Sequence, residues 1–189
     1  MLIKIKKLTD CNNKNAIAHF IKKNMKKIVL SIIAVLAVVA YANAQNKEFS
    51  KESLSKKLFT TKNTETSFEN ILKSHLDKVT VIEIWASWCS DCVKAMPKVK
   101  DMQANNPNVD YVFISMDKAF DKWQAGIEKH ELKGDHYWAT DGMKGEFGKS
   151  IDLDWIPRYI IIDKKGKIVI YRAIETDFDK INETLKKLQ

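Results

Sequence analysis

Cys89 and Cys92 stand two residues apart in WASWCSDCVKAMP (residues 85–97), between a run of apolar residues and a segment with helical periodicity. Three chemistries use such a pair: dithiol–disulfide exchange, half of a soft-metal site, or a static structural disulfide. A static bond across so small a loop restricts the unfolded chain little compared with one that closes a long loop. A metal site needs two further ligands, usually a second C-x-x-C or a spaced histidine pair. Here His75, His130 and His136 fall on separate segments and read as surface residues. Exchange suits the setting better. A cysteine at a helix N-terminus faces unpaired backbone N–H groups and the positive end of the helix dipole, which favour its thiolate and make Cys89 the attacking sulfur. Cys92, one turn further in and less exposed, is placed to resolve a mixed disulfide. Ser90 and Asp91 between them tune the couple. The helix terminus favours a Cys89 thiolate by about 0.3–1 kcal/mol, and the Asp91 carboxylate opposes it by about 1 kcal/mol. The two nearly cancel, which predicts a reducing couple and not a strong oxidant.

The element that carries the pair is read from residues 79–86 (VTVIEIWA), apolar on both faces like a central strand covered by helices on both sides. Glu83 shares one face of it with Val81 and Trp85, and Trp85 reads as core. Burial disfavours a charged carboxylate and raises its pKa, which suits a group that takes the proton from Cys92 as that thiol attacks. Upstream, Thr66 and Glu69 form a capping box for a helix with Phe68, Ile71, Leu72 and Leu76 on one face. Residues 92–104 read as the helix after the cysteines, with Val93, Met96 and Val99 inward, stopped by Asn105-Asn106-Pro107-Asn108. A second buried strand spans 109–116 (VDYVFISM), and Phe120, Trp123 and Ile127 line the helix that follows. Then come a short strand over 136–139 and a helix over 143–151 with Phe147 and Ile151 inward. RYIIID (158–163), the turn Lys164-Lys165-Gly166 and KIVIY (167–171) form an antiparallel hairpin. Phe178, Ile181, Leu185 and Leu188 make the core stripe of a closing helix.

The N-terminus sets the compartment. Met25-Lys26-Lys27, the apolar run 28–40 (IVLSIIAVLAVVA) and Ala42-Asn43-Ala44 form the basic start, the apolar core and the small-residue cleavage site of a secretory signal peptide ending at residue 44. Residues 1–24 are longer than such a start needs and point to Met25 as the true initiator. The apolar run is shorter than the roughly 20 residues of a spanning helix, so membrane contact is expected only if this segment is retained. Of the 32 basic and 24 acidic residues, eight lysines and Asp10 lie in residues 1–44, which leaves 24 and 23 in residues 45–189 and a net charge of +1. That balance gives no basic footprint for nucleic acid. Cys11 leaves with the signal, so the exported part carries just the pair, in the oxidising periplasm. Residues 45–65 read as a polar lead-in with one short helix around Leu54 and Leu58, and residues 66–189 as the domain.

Strands alternating with helices, then a hairpin and a last helix, with the cysteines on the first strand-to-helix turn: this order resembles the thioredoxin superfamily. Trp88-Cys89-Ser90-Asp91-Cys92 matches its W-C-x-x-C, Pro97 its helix-kinking proline, Glu83 its acidic residue on the preceding strand, and Pro157, in Trp155-Ile156-Pro157-Arg158, its cis-proline. The extra strand and helix over 135–151 and the export signal are most similar to the TlpA/ResA group of exported thiol-disulfide reductases. The resemblance implies an α/β, thioredoxin-like fold: a central mixed β-sheet flanked by helices, with a strand-helix insertion before the cis-proline. It implies a protein disulfide reductase working through Cys89 and Cys92 with no bound organic cofactor. Pro157 then places the backbone of Ile156 against an extended client peptide, and Trp88 supplies an apolar rim. The partners implied are cysteine-containing client proteins and a membrane electron donor that re-reduces the pair. An exported metal-binding or copper-delivery protein is the alternative use of the same cysteines.

Overall fold

The computed structural model describes residues 48–189, with Met25 and Val29 alone before them. Apart from those two residues, the signal expected over residues 1–44, its cleavage site and Cys11 lie outside the described residues. Among the described residues no helix is long and apolar enough to cross a membrane.

Chain order is α1 (Lys51–Ser55), β1 (Lys57–Thr60), β2 (Glu65–Ser67), α2 (Phe68–Ser74), β3 (Thr80–Trp85), α3 (Ser90–Asn105), β4 (Asp110–Ser115), α4 (Phe120–His130), β5 (Asp135–Trp138), α5 (Glu146–Ser150), β6 (Arg158–Ile162), β7 (Ile168–Ala173) and α6 (Phe178–Leu188). The strands form one mixed sheet in the order β2-β1-β5-β4-β3-β6-β7. Strand β3 runs parallel to β4 and antiparallel to β6, and every residue of β3 and β6 is buried. Unbroken apolar runs in these two strands follow from helices covering both faces, since neither face has to meet water. Helix α3 packs with α6, and α1 touches both α2 and α5.

Four expectations change. Residues 57–67 are not a loose lead-in but a hairpin of the sheet, in which β1 pairs with β5 through Phe59–Trp138 and Thr60–Tyr137. Leu58 lies on β1, not in a helix, and is fully buried. The physical reason is that β5 would otherwise present an open edge, and β1 covers it. Phe49, 4.8 Å from the ring of Phe68, holds the segment before α1 to the same core. The cap of α2 is Ser67, whose hydroxyl accepts from the Asn70 amide at 3.1 Å, while Thr66 belongs to β2; the helix stops at Ser74 and leaves Leu76 exposed. The inner face of α3 is Cys92, Ala95, Met96, Val99 and Met102, with Val93 only half-buried, because the helix begins at Ser90 and turns Cys92 inward.

Two of the three histidines expected at the surface differ too. His75 is buried, with Nδ1 2.9 Å from Asp110 and Nε2 3.3 Å from Asp135, the second approach close enough for charge pairing but not aligned as a hydrogen bond. It ties the end of α2 to the starts of β4 and β5. His136 stacks on Phe113 with ring centres 5.1 Å apart and sits 3.0 Å from the Leu132 carbonyl, and burial lowers its pKa.

Candidate functional site

At the end of β3 the chain turns through Ala86, Ser87 and Trp88, and Cys89 becomes the N-cap of α3. The Cys92 amide donates to Cys89 Sγ at 3.1 Å, one of the orphan N–H groups of the helix start finding its acceptor in a sulfur. Cys89 and Cys92 are joined as a disulfide with Cα atoms 5.3 Å apart. Pro97 lies inside the same helix, where it has no N–H to give the Val93 carbonyl.

A buried carboxylate holds this turn. Asp117, just past β4, accepts from the Ser87 amide at 3.0 Å, the Ser87 hydroxyl at 2.6 Å and the Ser115 hydroxyl at 2.7 Å, and its carbonyl accepts from the Trp138 indole at 2.6 Å. Helix α4 comes close behind: a Cβ on Gly126 would meet Ser87 Cβ at 2.8 Å, so only glycine allows this approach.

The opposite wall is the loop into β6. Its Ile156–Pro157 bond is cis, and the Ile156 carbonyl oxygen is 3.5 Å from Cys89 Sγ. In the bonded pair that sulfur carries no proton, so this is a contact; as a thiol it reaches the oxygen as a donor. Arg158, buried, holds the loop from beneath by donating to the Ile151 carbonyl at 3.1 Å and pairing with Asp154, which also binds Arg172 at 2.7 Å. A cleft of about 340 Å³ separates the walls, with Trp88, Cys89, Met143, Trp155 and Ile156 among its lining. Trp88 is 58% exposed and Trp155 53%. Cys89 is 6% exposed, the floor of the cleft and not the projecting thiol its place at a helix end suggested, and Cys92 is sealed off at 0%. The asymmetry between the two sulfurs therefore stands on access through the cleft. Ser90 is exposed at the rim, and Asp91 beside it is 3.3 Å from Lys94 Nζ, so the charge that was expected to act alone on Cys89 has a cation beside it.

Glu83 is 2% exposed, in the middle of β3, with Phe113 beside it on β4 and Tyr159 opposite on β6. The Tyr159 hydroxyl donates to its Oε1 at 3.4 Å, and its Oε2 is buried without a partner. Burial pushes its pKa from 4.5 up to about 8, and the Tyr159 hydrogen bond opposes that rise. Among the described residues no three His, Cys, Asp or Glu side chains converge so as to hold a metal ion.

Trp155, Asp117, Arg158 and Tyr159 were not singled out from the sequence. Trp155 had a signal, a large apolar residue two positions before Pro157 in a loop. Asp117 had one as well, an acid directly after a buried strand whose end lies next to that of β3. Tyr159 had none, since its meeting with Glu83 depends on the register of β3 against β6.

The sequence model of a family described as thioredoxin-like matches residues 77–168. The thiol-disulfide oxidoreductase ResA of Bacillus cereus is 24% identical over 119 residues, 62% of this chain and 67% of that protein. A putative thiol-disulfide oxidoreductase from Bacteroides vulgatus, solved in solution, aligns with a TM-score of 0.60 and 25% identity, covering 74% of this chain and 89% of that one. A secreted Mycobacterium tuberculosis disulfide oxidoreductase, homologous to E. coli DsbE, shares the fold at a TM-score of 0.58 and 19% identity over 74% of this chain and all of its own.

Proposed function

Since the chain belongs to the thioredoxin superfamily and is TlpA/ResA-like, we propose that it is an exported protein disulfide reductase working by dithiol–disulfide exchange through Cys89 and Cys92. The observation that carries this is the bonded pair at the start of α3, with only Cys89 open to the cleft. In the dithiol form the Cys92 amide favours negative charge on Cys89 Sγ. That thiolate attacks one sulfur of a client disulfide and expels the other. An extended client segment lies between Trp88 and Trp155, along the backbone of Ile156 and Pro157. Cys92 then gives its proton to Glu83 and attacks Cys89, which closes the intramolecular disulfide and releases the client as a thiolate. Buried at the floor of its strand pair, Glu83 is a proton acceptor of near-neutral strength, as this step requires.

The test is trapping. Cys92→Ala is expected to accumulate mixed disulfides through Cys89 when mixed with oxidised client, and Cys89→Ala is expected to accumulate none. Equal trapping by both variants would remove the assigned roles.

The reductase direction is supported by the Asp91 carboxylate, which, offset only in part by Lys94, opposes what the helix terminus gives a Cys89 thiolate and leaves it without exceptional stability. A reduction potential closer to about −270 mV than to about −120 mV is expected. Such a couple needs a membrane electron donor in an oxidising compartment. Export is supported by the signal pattern of residues 25–44 and by the secreted relative, and an intact mass beginning at Gln45 in the exported fraction is its readout.

A further inference from the structure

We propose that Tyr159 is a positioning residue for proton transfer at Glu83: its hydroxyl holds one carboxyl oxygen, so that the other, Oε2, is the one that exchanges a proton with Cys92. The inference rests on the reading above, in which Glu83 serves Cys92.

The two residues are direct partners across β3 and β6. Opposed side chains in such a pair stand about 5 Å apart at Cβ, so a phenol and a carboxyl project side by side into one apolar layer. The phenol donates to Oε1 at 3.4 Å, and Oε2 is left with no partner although it is buried. Tyr159 is itself fully buried and its ring meets the edge of Phe178 at 5.2 Å, which fixes where the hydroxyl points. Burial together with the nearby carboxyls of Glu83 and Glu175 drives the ionisation of this phenol far above neutrality, so it keeps its proton and has it to donate to Glu83. Among the described residues, burial and this hydroxyl are what move Glu83; Phe113 on its other flank carries no charge, and Glu175 acts on Tyr159. The proton therefore arrives at Oε2. In the resolving step the Cys92 thiol gives H⁺ to Oε2, its sulfur attacks Cys89 Sγ, the Cys89–client S–S bond breaks, and the client sulfur leaves with the electron pair and takes a proton from water. The pair is oxidised by two electrons and the client reduced by two.

A donor to one oxygen favours the carboxylate against the burial that opposes it. A hydrogen bond to a charged group is worth about a tenfold change in an equilibrium constant. In Tyr159→Phe the pH midpoint of mixed-disulfide resolution is therefore expected to rise by about one unit and the rate at pH 7 to fall about tenfold. The rate of mixed-disulfide formation is expected to stay unchanged. Resolution is read by single-turnover quench of a preformed Cys89–client mixed disulfide across pH, and formation by quench after reduced protein is mixed with oxidised client. In a Glu83→Gln background, Tyr159→Phe is expected to add nothing. An unmoved midpoint in Tyr159→Phe, or the same slowing with and without Glu83, overturns the assignment of Tyr159 while leaving that of Glu83 standing. Wild-type resolution in Glu83→Gln at every pH overturns Glu83 and Tyr159 together, and trapping by Cys92→Ala is untouched by either result. If the phenylalanine variant does not fold, 3-fluorotyrosine at position 159 is isosteric and a stronger donor; it is expected to lower the midpoint, and no shift overturns the proposal.

Discussion

Asp91 and Lys94 face each other at 3.3 Å in the first turn after Cys89, with the lysine largely in water. A pair so exposed is weak, so the lysine offsets the carboxylate only in part and leaves a small net repulsion of a Cys89 thiolate. For a two-electron couple about 30 mV corresponds to 1.4 kcal/mol, and the interaction at stake is below about 1 kcal/mol. Asp91→His is therefore expected to make the potential less negative by roughly 10–30 mV, and Lys94→Ala to make it more negative by less than that. Equilibration against glutathione reads both; shifts of the same sign would mean that charge at this rim does not set the couple. Trp155 is the other residue whose meaning is local. Truncating an aromatic anchor at an interface costs more than about 1 kcal/mol, so Trp155→Ala is expected to raise KM for a protein client at least about fivefold while the rate with a small aromatic disulfide is unchanged. An equal loss with both substrates would assign Trp155 to loop structure and not to client contact.

At the scale of elements, the catalytic turn is held between three supports: the Asp117 carboxylate after β4, the close approach of α4 at Gly126, and the Arg158-anchored loop before β6. The order of β3, α3, β4 and the β6–β7 hairpin was readable because each strand is a continuous apolar run and each helix an apolar stripe. The hairpin of residues 57–67 was not, because β1 and β2 are short, carry Lys, Thr and Glu on their open sides, and earn their place only by pairing with β5. Leu58→Ala tests its standing. A fully buried leucine in a packed core is expected to cost about 2–5 kcal/mol on truncation, seen as a lower urea midpoint with an unchanged slope. A loss near zero would return the hairpin to the status of a loose lead-in.

For the whole molecule, one buried carboxyl couples stability to pH. The pKa of Glu83 is raised in the fold, from 4.5 to about 8, so the folded state holds a proton that the unfolded chain gives up first. Its contribution is complete below pH 4.5 and is lost as pH rises to about 8, at about 1.4 kcal/mol per pH unit and about 5 kcal/mol in all. Glu83→Gln is expected to be no more stable than wild type at pH 4.5, clearly more stable at pH 8, and to lack this slope between. Chemical denaturation of both proteins across pH 4.5–8 reads the difference; parallel profiles would place the wild-type ionisation outside this window.

The amino-acid sequence by itself determined which residues are the candidates for the chemistry and the order of most elements, because both are local properties. A C-x-x-C after a buried-type strand and before a helix puts one sulfur at a helix start whatever surrounds it, and an apolar glutamate environment is visible in the letters on either side of Glu83. Only the tertiary structure decided what lies across from them. Trp155 facing the cleft, Asp117 under Ser87, His75 between Asp110 and Asp135, and Tyr159 against Glu83 each join residues at least 30 positions apart or set by strand register. Register is fixed by the packing of whole faces, a one-residue slip of which exchanges every partner, and no single segment of the chain carries that information.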